Sequence, residues 1–134
     1  MYSFLTLLVV QSRATVVYNS LQGDWATQQS SLSDNALVAI DDYDTQLAVS
    51  QFKLETFDFI GGIDVALKPI TFKFFNSDMS LANSFSTILF SEGIHRWNVS
   101  LSMNIPSKGF VAMYRDEADS SYAALWRGQT AAPL

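Results

Sequence analysis

Six of the ten phenylalanines fall within Gln51 to Asn76, QFKLETFDFIGGIDVALKPITFKFFN, which also holds the only Gly-Gly pair in the chain. Two apolar-alternating runs meet in this stretch, and period-two alternation rich in aromatic and β-branched residues describes strands with one buried face. The stretch therefore reads as the core pair of strands of an antiparallel sheet, meeting across a glycine turn at Gly61-Gly62. Phe52 and Leu54 share one parity, whereas Phe57 and Phe59 share the other. Such a phase flip predicts a β-bulge near Glu55 and Thr56. The residues between Gly62 and Ile70 leave room for the chain to cross from one sheet to another, with the phenylalanines lining the space between.

The remainder supports the same class. Thr15 to Ser20 reads as a β-branched first strand, Ala36 to Tyr43 as a second, and Ile70 to Asn76 alternates Ile70, Phe72 and Phe74 against Thr71, Lys73 and Phe75. Leu81 to Phe90 follows. Ile94 to Ile105 gives the cleanest alternation, with Trp97, Val99, Leu101, Met103 and Ile105 on one side. Gly109 to Arg115 and Ser121 to Arg127 complete about eight expected strands divided by polar turns. Leu21 to Asn35, rich in Gln, Ser and Asp, reads as a long loop, the kind of segment that carries binding on a rigid scaffold. The expected fold is all-β, an antiparallel two-sheet β-sandwich of jelly-roll-like character.

At the N-terminus, an apolar run from Phe4 to Val10 precedes Ser12-Arg13-Ala14. Small residues three before and immediately before a cut after Ala14 read as a short or truncated secretory signal, the alternative being the first strand of the fold. The expected organisation is residues 1–14 as signal, 15–128 as the sandwich, and 129–134 as a linker or the start of a tail. The run is too short for a transmembrane helix.

Eight basic against thirteen acidic residues give a net charge of −5, with no block of Lys or Arg. A nucleic-acid backbone or an anionic membrane finds nothing there to hold. The chain has no Cys and a single histidine, His95. That removes thiolate chemistry and multi-histidine metal sites, and leaves His95, next to Arg96, as a surface strand residue. No Gly-x-Ser-x-Gly elbow or phosphate-cradling glycine loop is present.

The order ATVVYN, AIDDYDT, FDFIGG, ITFKFFNSD, SFSTILF, HRWNVSL and GFVAMYRD resembles exported bacterial proteins that end in a PEP-CTERM sorting tail. The likeness spans residues 14 to 128 and rests on strand order and turn placement. No Pro-Glu-Pro, closing hydrophobic helix or arginine cluster follows within the sequence. The resemblance implies a β domain, export, and a place at the cell surface or in extracellular matrix, with no biochemical activity attached.

Two constellations carry possible chemistry. Asp41, Asp42 and Asp44 form one acidic cluster, and Asp116, Glu117 and Asp119 another. Calcium takes several hard oxygens, which sandwich loops supply, so Asp41, Asp42 and Asp44 are candidate ligands for a structural Ca²⁺, with Asp116 or Asp119 joining if the fold brings them near. The bland reading is solvated turns. Among the aromatics, Trp25, Trp97, Trp126, Tyr43, Tyr114 and Tyr122 could build a sugar-stacking surface, with Trp25, Tyr43 and Trp126 as the ligand-binding candidates; packing is the default. Trp97 shares the apolar parity and reads as core, whereas Trp25 and Trp126 read as exposed.

Taken together, the sequence points to a non-catalytic, exported β-sandwich with a structural or adhesive role, partnered by polysaccharide or other surface proteins. The alternative is a carbohydrate-binding module using exposed aromatics and calcium. A glycosidase is a third reading, requiring carboxylates such as Asp42 and Asp116 to lie about 5 to 9 Å apart.

Overall fold

The computed structural model describes the backbone of residues 2–3, 7–10, 15–19, 25–29 and 36–130, and the side chains of residues 36–127. The described elements are all strands: β1 (Tyr2–Ser3), β2 (Leu7–Val10), β3 (Thr15–Asn19), β4 (Trp25–Gln29), β5 (Leu37–Asp44), β6 (Gln51–Ile63), β7 (Lys68–Phe75), β8 (Leu81–Leu89), β9 (Gly93–Pro106), β10 (Lys108–Arg115) and β11 (Ala124–Thr130). They form two antiparallel sheets. The smaller runs β5-β10-β7-β8; the larger is built around β6, which pairs with β9 on one edge and with β2 and β11 on the other, β3, β4 and β1 extending it. The architecture is the expected β-sandwich. The strands beyond the anticipated eight are short: β1 and β2 fall in the segment read as a signal, and β4 falls in the segment read as a loop.

The central stretch behaves differently from a hairpin. β6 lies in the larger sheet and β7 in the smaller, so the two face each other across the core instead of pairing. Gly61-Gly62 is accordingly no turn; it lies inside β6, opposite Trp126 and Leu125 of β11. A Cβ on Gly61 would strike the Leu125 carbonyl oxygen, and one on Gly62 the Gly93 carbonyl oxygen, so close backbone approach is what requires glycine here. The chain changes sheets at Asp64–Leu67, where Leu67 adopts φ of 65°.

The predicted bulge is present. Pairing of β6 with both β2 and β9 shifts register around Glu55, and burial switches from Phe52 and Leu54 before it to Phe57 and Phe59 after it. The core is an aromatic cluster between the sheets: Phe57 and Phe59 of β6 lie 4.7 and 4.9 Å from Phe72 of β7, ring centre to ring centre, and Trp126 meets Phe72 edge-on at 5.2 Å. Tilted and edge-on contacts of this kind add about 0.5–1.5 kcal/mol per pair to the area they bury. Ile70 and Phe74 from β7, Val111 and Met113 from β10, and Leu54 and Ile105 complete the buried set.

Closure is uneven around the sandwich. At one end, the Tyr43 hydroxyl of β5 donates to the Pro106 carbonyl at 2.6 Å, and the Thr45 amide bonds Ser107 O at 2.9 Å, tying the smaller sheet to the end of β9. Along one flank the two sheets end in β8 and β9. No described strand pairs with the outer edge of either, and Phe85, Val99, Leu101 and Met103 between them are only partly buried.

Candidate functional site

The aromatic candidates are rearranged by the fold. Trp126 is 0 % exposed and Tyr43 3 %, so neither offers a ring to a ligand. The expectation that Trp126 stands exposed fails because β11 is an interior strand, flanked by β6 and β4, and its inward face packs on Phe72. Trp97 is buried, as its parity predicts, its indole N–H donating to Gly61 O at 3.0 Å. Tyr122 is buried also. Trp25 lies on β4, and its side chain falls outside the described residues. Of the six aromatics considered, Tyr114 is the described ring left half-exposed.

The acidic clusters do not converge. Asp41 is buried on β5, whereas Asp42 and Asp44 point to solvent from the same strand. Asp41 stands opposite Val111 of β10, and Asp116 follows the far end of that strand. At about 3.3 Å per residue the two clusters lie roughly 16 Å apart along β10. Asp42, opposite Phe110, lies roughly 20 Å from Asp116 by the same measure, beyond the separation a glycosidase pair needs. Among the described residues no group of three His, Asp or Glu side chains is placed to hold a metal ion. A Ca²⁺ shared between the clusters therefore does not fit.

The carboxylates shape turns instead. Asp44 Oδ1 accepts from the Gln46 amide at 2.8 Å, and Asp116 Oδ1 from the Ala118 amide at 3.0 Å. Asp119 accepts from Lys68 Nζ at 2.6 Å and from the Ser121 amide at 2.9 Å. The Lys68 hydrogen bond, aided by those from Ser121, holds the Asp119 carboxyl well below the usual carboxylate range, and the same bond raises the Lys68 ammonium. Arg115 Nη1 donates to Asp119 O at 2.7 Å, and Tyr122 Oη donates to Pro69 O at 2.5 Å while accepting from the Asp116 amide at 2.8 Å. The segment from Asp116 to Ser121 is thereby fastened to the start of β7.

That fastened loop walls a groove of about 400 Å³ on the outer face of the smaller sheet, lined by Pro69, Thr71, Lys73, Ser86, Tyr114, Arg115, Asp116 and Glu117. Its floor follows from register. Thr71 of β7 stands opposite Tyr114 of β10 on one side and Ser86 of β8 on the other. Ring, hydroxyl and hydroxyl thus form a row across three strands, about 10 Å from end to end. Thr71 Oγ1 and Ser86 Oγ share a hydrogen bond at 2.7 Å. Lys73, two residues along on the same face, reaches back so that its ammonium lies 4.5 Å from the Tyr114 ring centre. An exposed contact of that kind is worth about 0.5–1 kcal/mol, so Lys73 leaves the ring at little cost. Burial, and then the nearby charge of Glu117, raise the Tyr114 phenol. The volume falls in the range of small-molecule sites, roughly 300–1,000 Å³.

Other features are less organised. On the outer face of the larger sheet, Asp58 accepts from Arg96 Nη2 at 3.1 Å and from Asn98 Nδ2. His95 is exposed, with Nε2 2.9 Å from Glu92 O. A second cavity of about 390 Å³ lies between Gly62, Ile63, Gly93, Ile94, Ala123 and Leu125, with Asp64 and Glu92 at its lining. Among the described residues no helix is long and apolar enough to cross a membrane. No family model, curated protein or solved structure matches the chain.

Proposed function

We propose that this chain is a non-catalytic, exported β-sandwich with a structural or adhesive role at the cell surface or in extracellular matrix. The observation that supports it most is the open flank. β8 and β9 end their sheets side by side, bridged by Asn83 Nδ2 donating to Asn104 O at 3.0 Å. Leu81–Leu89 contains no charged residue and no proline, and neither does Trp97–Ile105. Soluble sandwiches usually blunt such edges with Lys, Pro or a covering loop, because exposed N–H and C=O groups template another strand. Among the described residues no strand covers these two spans, and edges open in this way suit a protein whose work is assembly. The N-terminal pattern and the likeness to PEP-CTERM proteins supply the export half of the reading.

Sedimentation velocity over a range of concentrations, with N-terminal sequencing of the protein recovered outside the cytosol, tests both halves. The expected result is reversible association that is lost when Ala82→Lys and Ser102→Lys charge the two edges, and recovery of the chain outside the cytosol. A monomer at every concentration, or a cytosolic chain with Met1 intact, sinks the reading.

A carbohydrate-binding module is the second reading, favoured by the groove over Tyr114. It requires no calcium site and draws its aromatic from β10 instead of from Trp126 or Tyr43.

A further inference from the structure

We propose that the Tyr114 groove binds a neutral saccharide, one pyranose unit lying along the row Tyr114, Thr71 and Ser86, without a metal ion. The inference rests on the second reading above and names its site and ligand class.

Three observations converge on it. The first is the platform: Tyr114 is a half-exposed aromatic on the outer face of a sheet whose inward neighbours, Met113 and Phe72, are fully buried, so the ring is held on a rigid floor. The apolar C–H face of a pyranose packs on such a ring, which presents a negative π face and a polar hydroxyl tip. The second is the set of polar groups beside it. Thr71 and Ser86 already satisfy each other by one hydrogen bond, and each retains lone pairs and the freedom to reorient its hydroxyl. Lys73 meets no described carboxylate, its ammonium resting on the Tyr114 ring. A sugar taking that ring face displaces the ammonium by a short swing and receives it as a donor to two vicinal hydroxyls. The third is charge balance. Lys73 and Arg115 on one side, and Asp116 and Glu117 on the other, make the lining formally neutral. A strongly anionic or cationic ligand would meet like charge within the groove; a polyhydroxylated neutral one finds both donors and acceptors. Arg115 is buried, and its Nη1 donates to the carbonyls of Asp116 and Asp119, so that side chain holds the wall of the groove.

Affinity electrophoresis tests the inference, with the intact chain run through gels containing a neutral β-glucan, a galactan, a mannan or polygalacturonate, each with and without EDTA. The expected result is retardation by at least one neutral polysaccharide, unchanged by EDTA, weakened about tenfold by Tyr114→Ala and retained by Tyr114→Phe. Tyr114 is half-exposed, and the Phe variant reports whether ring loss or misfolding is responsible. If a neutral polysaccharide retards wild type and Tyr114→Ala equally, the module reading stands and the groove assignment falls. If none of the neutral polymers retards the protein, both fall. Retardation by polygalacturonate alone, or retardation abolished by EDTA, overturns the ligand class.

Discussion

β6 and β9 are the longest described strands, 13 and 14 residues, and they pair along nearly their whole length, yet their environments are opposite. β6 is interior to its sheet, with β9 on one edge and β2 and β11 on the other, and from Phe57 to Phe59 three consecutive residues are buried. β9 is an edge, and its inward residues Val99, Leu101 and Met103 are only half-buried. The strand with the cleaner alternation is the more exposed one. Alternation reports which face a side chain takes; it carries no information about whether the strand is in the middle of a sheet or at its margin.

Truncation separates the two strands most sharply. Phe57 touches Phe59 on its own strand and Phe72, Phe74 and Phe85 of the facing sheet, so Phe57→Ala is expected to cost about 3–5 kcal/mol in urea or thermal unfolding. Leu101→Ala on β9, where the flank is open and water already reaches the side chain, is expected to cost about 1 kcal/mol. Equal losses would mean that the flank between β8 and β9 is closed in solution, and would remove the support for assembly through those edges.

The contrast also marks what a reader of the sequence alone can recover. The bulge at Glu55 and the inward set Ile70, Phe72 and Phe74 are legible, because both follow from parity within a single strand. The burial of Trp126 is not. It depends on β11 docking between β6 and β4, a pairing between residues more than sixty apart in sequence with Gly61 and nearly a hundred apart with Gln28. Gly61-Gly62 misleads for the same reason: locally it reads as a turn, and only the approach of β9 and β11 explains why those positions lack side chains. The groove lies between these cases. Thr71 and Lys73 can be assigned to the outer face from alternation, but the row they form with Tyr114 and Ser86 exists only once the register of three strands is known. Asp41 and Asp42 are legible as strand residues and Asp116, Glu117 and Asp119 as turn residues, and placing the two clusters toward opposite ends of β10 needs the sheet.

A comparably small effect is expected at the one end of β9 that is closed. There Ile105 and Pro106 are buried, and the Tyr43 hydroxyl reaches Pro106 O from the opposite sheet. Tyr43→Phe removes that bond while keeping the ring against Phe74, and should cost about 1 kcal/mol at neutral pH, since an acceptor is left unsatisfied while the packing survives. Burial pushes the Tyr43 phenol far above its ordinary range. The folded state thus holds the phenolic proton more tightly than the unfolded chain, so this contribution is complete below the unfolded value of about 10 and is lost as pH rises beyond it. Wild type should therefore lose stability from about pH 10 upward, and Tyr43→Phe should fall less steeply, closing its deficit as the solution becomes more alkaline. Tyr114 and Tyr122, both raised chiefly by burial, keep part of the slope in the variant. Parallel curves for the two proteins would show that the phenol ionises freely in the folded state, and that the closed end of β9 opens as readily as its exposed flank.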